Sequence, residues 1–360
     1  VKTWRGWVYW RENPAEKPIF TWGELSENNG LSFHALPGSG LEKGPWILPG
    51  LVDVHAHLGI GPGGLATKEE ATQAVRDTLA SGVLAIREPG SPVAYPLTKP
   101  LTVVRSGQHI ARTKRYLPGL AVELEDEADL PAEVARQGAK GDGWVKLVGD
   151  WIDRSGGAES DLDPLWDTKV LVDAVQVAHE AGTRVAVHTF GTKAIDGLLE
   201  AGVDSIEHGS GMTRDQIKEA VGQKIGITPT LGQIELFPKF ADAAGRKYPV
   251  YAQTMVDLYK GRAAWFEALL EEDALILPGT DAGGYQRHGG IASEHHRWLQ
   301  WGMKEDRAID ALTWQARDFL GLPSLTPGAP ADFVQFEFWP DALTPQSVVA
   351  KGKVISGEEP

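Results

Sequence analysis

Between residue 49 and about residue 322, short apolar runs alternate with stretches whose apolar positions recur every three to four residues. That alternation predicts repeated strand–helix units wound around a parallel sheet. The runs at residues 51–57, 83–87, 101–106, 144–148, 184–188, 205–208, 225–230 and 275–281 read as strands. Eight such strands close a (β/α)8 barrel, the α/β fold class expected here. Helical periodicity fills most of the intervals, at residues 67–81, 130–137, 165–181, 192–201, 213–221 and 251–272. Gly82, Gly182, Gly202 and Gly222 follow four of these helices, where a residue tolerant of left-handed backbone ends the helix. The stretch 107–127 has no clean period and reads as a long loop over the barrel mouth, where substrate contacts are expected.

The chain ends carry a different pattern. Residues 1–48 are rich in Trp, Gly and Pro, and runs such as the one from Trp4 to Trp10 predict hairpin strands. Strands return at residues 331–338 and 347–356, after the Gly/Pro turn at 327–330. Both ends are expected to form one discontinuous β-sandwich domain, residues 1–48 with 325–360, beside a barrel of residues 49–324. Trp4, Trp7, Trp10 and Trp22 suit either the core of that domain or a contact between copies of the chain, so a homo-oligomer is compatible with the sequence.

Composition narrows the chemistry. The chain has 360 residues, enough for one large core or two modest ones, and no cysteine, which removes disulfides, thiolate ligands and thiol nucleophiles together. A metal site must then be built from His, Asp, Glu or a modified Lys. A formal charge of -14 without a basic run argues against nucleic acid and for a small-molecule substrate. No stretch reaches the roughly 18 apolar residues of a membrane span, and no basic-then-apolar leader opens the chain, so a cytoplasmic protein is expected. The start at Val1 also fits a trimmed leader.

The chemistry-bearing residues cluster at strand ends. His55 and His57, two apart on an extended strand, point to one face and can grip one metal. Alone, such a pair is more readily explained by two ordinary strand histidines. Its place at the C-terminal end of an apolar strand, where barrel enzymes carry catalytic groups, changes its weight. His188 and His208 end two further strands, and Asp281 ends the last, where a carboxylate can bind metal and take a proton from bound water. Lys146 interrupts the apolar run Trp144-Val145-Lys146-Leu147-Val148. Either it snorkels from an edge, or carbon dioxide has carbamylated it to a carboxylate that bridges two cations. Together these six groups come from strands one, four, five, six and eight.

The segments LPGLVDVHAHL, WVKLVGD, RVAVHTFG, DSIEHG and LPGTDAGG, in that order, resemble the metal-site motifs of the amidohydrolase superfamily. GAPADFVQFE and SVVAKGKVISG resemble its closing β-sandwich strands. The resemblance covers most of the chain and implies that His55, His57 and Asp281 bind the more buried of two divalent cations and His188 and His208 the more exposed one. It further implies that a carboxylated Lys146 bridges them. Zinc is the first expectation for such a thiol-free, His-rich site, with manganese, cobalt or iron compatible. A hydroxide shared by the two cations would attack a carbonyl carbon; Asp281 would carry its proton to the leaving nitrogen, while the cation on His188 and His208 polarises the carbonyl oxygen.

The segment GQHIARTKRYLPGL is similar to a branch containing imidazolonepropionase-like and prolidase-like enzymes. It places His109, Arg112, Lys114, Arg115 and Tyr116 as candidate substrate contacts, or as a solvated basic turn. Tyr285, Arg287 and His288, and also Trp151, Asp153, Thr189 and Thr230, are further pocket candidates, while Glu88 supports a ligand or pairs with a neighbour. His179, His295 and His296 read as structural. The leading function is hydrolysis of an amide or peptide-like C–N bond, of N-acyl amino acid or Xaa-Pro dipeptide type. An esterase, lactonase or phosphotriesterase would use the same cation pair. A heterocycle deaminase usually has a Glu shortly after the fifth-strand His, where this chain has Thr189-Phe190-Gly191. A non-catalytic assembly protein would have lost ligands that are all kept here.

Overall fold

The computed structural model describes residues 1–13, 15–38, 43–92, 98–339 and 342–357. The two chain ends meet in one seven-stranded sheet, in the order Lys353–Gly357, Ser347–Ala350, Phe333–Phe336, Trp46–Pro49, Lys2–Trp10, Ile19–Glu27, Leu31–Ala35. Alternation along Lys2–Trp10 sorts its faces: Trp4, Val8 and Trp10 are buried, whereas Trp7 and Tyr9 are half-buried on the other side. The buried face packs with Leu25, Ile47, Phe333 and Trp314. Trp7 stacks on Trp46 with ring centroids 5.7 Å apart. The tryptophans of the first strands therefore fill this domain's own packing.

Gly50 separates Trp46–Pro49 from the first barrel strand, Leu51–Asp53. That strand pairs in parallel with Val83–Glu88, which pairs with Thr102–Arg105. On the other side, His109–Arg112, Trp144–Val148, Arg184–Thr189, Ser205–His208, Gly226–Thr228 and Leu275–Ile276 follow in parallel order. A parallel bridge between Ala56 and Ala282 joins the first and last strands. The fold is a (β/α)8 barrel, its third strand split in two: Thr102–Arg105 pairs with the second strand, and His109–Arg112 with the fourth through Ile110 and Leu147.

The split corrects the expectation of a structureless segment from 107 to 127. His109–Arg112 is barrel strand, and Ala121–Leu124 pairs beside it. Each piece is four residues long, too short to show a period. Helices cover the outside, among them Lys68–Ala80 and Arg214–Gly222, each opened by a Thr capping box. Gly202 ends its helix left-handed, as expected. Gly222 instead stays inside its helix, and Lys224 makes the left-handed turn at φ 60°. Inside the barrel, Val52, Val54, Ala85, Val104, Trp144, Ala186 and Leu277 plug the end opposite the histidines. This plug forms an apolar floor beneath the polar groups at the mouth.

Candidate active site

The polar residues of the barrel mouth sit where the strands run out. His208, Thr230 and Asp281 each take a left-handed backbone, with φ of 68°, 46° and 54°. For a residue with a Cβ this costs on the order of 1 kcal/mol or more, a strain that concentrates at functional sites. Packing behind them leaves no slack: a Cβ on Gly279 would lie 2.3 Å from Thr228 Cγ2 and 2.9 Å from His55 Cβ.

Hydrogen bonds at the rear fix how the imidazoles face. His55 Nδ1 lies 2.7 Å from Glu207 Oε2, which turns Nε2 forward to 3.1 Å from Asp281 Oδ1. His57 Nδ1 meets the Gly90 carbonyl at 3.1 Å and Glu88 at 3.3 Å, and its Nε2 lies 3.5 Å from the same Asp281 oxygen. His208 Nδ1 is 2.6 Å from the Thr230 hydroxyl, and its Nε2 is 3.0 Å from His188 Nδ1. Asp53 ties the first strand end to the last by accepting from the backbone of His55 and from Thr280. Carboxylates or hydroxyls behind a forward-facing ring nitrogen are the usual support of a metal-ligating histidine.

Lys146 lies in the same strand face as Trp144, one position nearer the mouth, and is 1% exposed. Its Nζ has no hydrogen-bond partner among the described residues. Burial pushes the ammonium down to about 8, against the pull of Glu207. An edge or snorkelling lysine is excluded by that burial. An amine so placed is neutral far more often than an exposed one and has room for chemistry rather than for solvation.

The charges around it form one network. Burial would lower the His57 imidazolium, yet Asp281 and Glu88 hold it up at about 9. Burial drives His208 down to about 3 and His188 well below the ordinary histidine range. Burial alone would raise Asp281, but His55 and His57 hold it well below the usual carboxylate range. Glu207, buried beside Arg87 and Lys146, is held low in the same way. The pocket thus attracts positive charge at His57 and Asp281 and keeps neutral imidazoles at His188 and His208.

Both donor edges suit divalent cations. Two ligands about 2.1 Å from one ion stand about 3.0–3.4 Å apart. His188 with His208 and His55 with Asp281 show such spacings, and His57 with Asp281 is close to it. The ligand atoms of His55, His208 and Asp281 all lie within 4.8 Å of one another. With the Lys146 amine, which has no partner among the described residues, this donor set of imidazole nitrogens and a carboxylate fits a cation pair.

Residues 46–355 match the model of the amidohydrolase family. The chain belongs to the amidohydrolase family. It is a hydrolytic enzyme. Uncharacterized proteins of Mycobacterium tuberculosis (strain H37Rv) and Mycobacterium bovis are each 46% identical to this amidohydrolase over 298 residues, 81% of this chain and 79% of theirs. Among solved structures, a Xaa-Pro dipeptidase with bound methionine is similar with a TM-score of 0.75 and 20% identity, over 97% of this chain and 99% of its own. A prolidase complexed with N-methylphosphonate-L-proline gives 0.79 and 16% over 99% of both chains. Aspergillus niger ochratoxinase gives 0.75 and 17%, over 96% of this chain and 93% of its own. These structural likenesses speak for the fold.

A cleft of about 280 Å³ opens above the histidines of this amidohydrolase, lined at its base by His55, His57, His188, His208 and Asp281. Of the residues expected to meet substrate, Tyr116, Trp151 and Tyr285 line it. His109 is fully buried behind His57 and Tyr116, at ring distances of 5.2 and 5.1 Å, and neither of its nitrogens has a partner among the described residues. Arg115 turns away from the cleft to Asp153 and to the carbonyls of Trp151 and Asp163, bracing that loop. With Arg112 and Lys114 it borders an adjoining surface depression, which shares Tyr116 and Arg154 with the cleft. His288 sits behind the first strand end, 3.4 Å from the Thr78 hydroxyl, outside the cleft lining.

Three functional neighbours escaped the sequence. Glu207 and Arg87, both fully buried, form the pair behind His55, and Ser205 donates to the same Glu207 oxygen at 2.6 Å. A Glu inside the apolar run Ser205-Ile206-Glu207-His208 was as anomalous as Lys146 and could have marked it. The third is Arg154, which reaches the cleft from the loop after the fourth strand. Asp153, Thr189 and Thr230 serve this scaffold rather than the cleft: Thr189 donates to buried Asp150 at 2.9 Å.

Proposed function

We propose that this amidohydrolase cleaves an amide or peptide-like C–N bond of a small acyl compound, of N-acyl amino acid or Xaa-Pro dipeptide type. The observation that carries the reading is the convergence, at one barrel mouth, of four histidines, Asp281 and a buried Lys146 with no hydrogen-bond partner among the described residues. Similarity in fold to a Xaa-Pro dipeptidase, a prolidase and an ochratoxinase supports it.

In this reading His55, His57 and Asp281 would hold one divalent cation and His188 and His208 a second, with zinc the first candidate, and a Lys146 carboxylated by carbon dioxide would serve as a ligand to both. When bound, such a pair polarises a carbonyl and acidifies water. The chain's own part follows from the geometry. Asp281, with His55 and His57 on one oxygen, faces the cleft and is placed to accept a proton from water and return it to the leaving nitrogen. Glu207 behind His55, and the Gly90 carbonyl with Glu88 behind His57, hold a proton on each Nδ1 and turn each Nε2 forward. Tyr116 and Trp151, 4.9 Å apart, form an aromatic wall that keeps bulk water from the substrate.

The test is metal content and product analysis on wild type, Lys146→Ala and Asp281→Asn, with N-acyl amino acids, dipeptides, lactones and aminated heterocycles. Expected are about two metals per chain in wild type, loss of metal and activity in Lys146→Ala, and metal retained with little turnover in Asp281→Asn. Lys146→Ala unchanged in metal and rate would remove the bridging role. Ammonia release without acid formation would replace the reading with a deaminase, and cleavage of lactones alone would replace it with a lactonase.

A further inference from the structure

Arg154 is the one arginine or lysine lining the cleft among the described residues; it also borders the neighbouring depression, with Glu123 and Glu125 on it, and forms no ion pair among the described residues. The aspartates before and after it in the chain are committed elsewhere. Asp153 accepts from Arg115 at 3.2 Å and caps the turn through the Ser155 backbone at 3.0 Å and hydroxyl at 2.6 Å. Asp163 and Asp161 take Lys193 at 2.8 and 3.0 Å. Asp150 is buried under the amides of Phe190 and Gly191. The loop that presents Arg154 is braced on both sides, by Arg115 on the Trp151 and Asp163 carbonyls and by the Tyr251 amide on the Ser160 carbonyl at 3.0 Å.

Apart from Arg154, the upper walls are mostly aromatic. Tyr116 and Trp151 pack on one side, and Phe240 with Tyr285, at 5.5 Å, on another. At the base stands Asp281, the carboxylate among the lining residues. A guanidinium outside any such ion pair, at the rim of an aromatic cleft, selects a molecule with an apolar body and one planar anion, which it can grip in bidentate fashion. A single arginine matches a monoanionic carboxylate better than a phosphate dianion, which calls for more donors.

We propose that Arg154 anchors the free carboxylate of the substrate. The substrate class is then an N-acyl amino acid or dipeptide with an aromatic or large apolar side chain, its carboxylate at the rim and its scissile carbonyl at the base. This class rests on the C–N hydrolysis proposed for the same site; the anchor rests on the geometry of the rim.

The experiment separates the two. Hydrolysis of N-acetyl-L-phenylalanine is compared with that of N-acetyl-2-phenylethylamine, which has the same bond and ring and no carboxylate, in metal-loaded wild type, Arg154→Gln and Arg154→Lys. In parallel, calorimetry follows binding of 4-phenylbutyrate and 4-phenylbutanol, which have no bond to cleave. Wild type should favour the acid of each pair, and in Arg154→Gln that preference should fall by about 30-fold, the scale of one charge-assisted pair. Arg154→Lys should retain part of it, with the change carried by KM and by binding rather than by kcat. An acid preference that survives Arg154→Gln in both assays overturns the anchor. Binding that depends on Arg154 while N-acetyl-L-phenylalanine and dipeptides go uncleaved keeps the anchor and overturns the hydrolytic reading on which the substrate class rests.

Discussion

Replacing Glu207 with Gln tests whether the rear of the site, and not only its face, builds the proposed metal centre. Glu207 Oε2 accepts from His55 Nδ1 at 2.7 Å, while Oε1 accepts from Arg87 and from Ser205. A glutamine presents one oxygen and one NH2. Placed toward His55, the NH2 forces the ring proton onto Nε2 and blanks the forward nitrogen; placed toward Arg87, it sets donor against donor. Both Arg87 and Glu207 are fully buried, so the variant leaves a guanidinium stacked on Trp144, 4.6 Å from its ring centroid, without its counter-ion. Breaking one side of such a pair costs about 3–5 kcal/mol. With an unfolding entropy of about 2.1 cal/mol/K per residue, this chain should lose about 4–7 °C in Tm. Metal affinity should fall by about 10–100-fold, the usual effect of removing a ligand's supporting carboxylate. Differential scanning calorimetry of metal-free protein and zinc competition with a chromophoric chelator read the two effects separately. A Glu207→Gln protein with wild-type Tm and wild-type zinc affinity would refute the reasoning.

Three further outcomes follow from single residues. Burial holds the Glu294 carboxyl up at about 7 although it accepts from the amides of Leu231 and Gly232. The folded chain therefore keeps that proton more tightly than the unfolded one, and the stabilisation present below about pH 4.5 is lost as pH rises to about 7. The Tm of wild type should accordingly fall relative to Glu294→Gln between pH 5 and pH 8, and parallel curves would exclude this titration. Gly279→Ala places a Cβ against Thr228 and His55, so it should cost about 1–3 kcal/mol and weaken metal binding by displacing His55; unchanged metal content and Tm would show that the strand end yields. Thr230→Val removes the hydroxyl at His208 Nδ1 and should lower affinity for the second metal equivalent more than for the first, measured by stepwise titration. Equal loss at both steps would place His208 in a shared role.

The barrel was legible because buried parallel strands are unbroken apolar runs, and His55, His57, His188, His208 and Asp281 end those runs where polar residues stand out. Lys146 was legible for the same reason. Glu207 carries the same signal, a charged residue inside the short run Ser205-Ile206-Glu207-His208. The split third strand escaped because four-residue pieces have no period, and with it went the interior position of His109. Arg115 and Arg154 could not be ranked from the chain, since which of two loop arginines faces a cleft depends on a tertiary contact. Asp153 takes Arg115, and Arg154 is left to the rim. Nothing in the local sequence encodes that division. No helix among the described residues is long and apolar enough to cross a membrane, as the hydropathy suggested.

The central claim is a hydrolytic centre assembled from two cations and one lysine. Its most direct measurement is stoichiometric reconstitution: chelator-stripped protein, in bicarbonate buffer, is titrated with zinc while acid and amine release from an N-acyl amino acid are recorded. The account predicts negligible activity at the start and a rise that saturates at about two equivalents per chain, with acid and amine released one for one. Full activity in the stripped protein, or saturation at one equivalent, would contradict it.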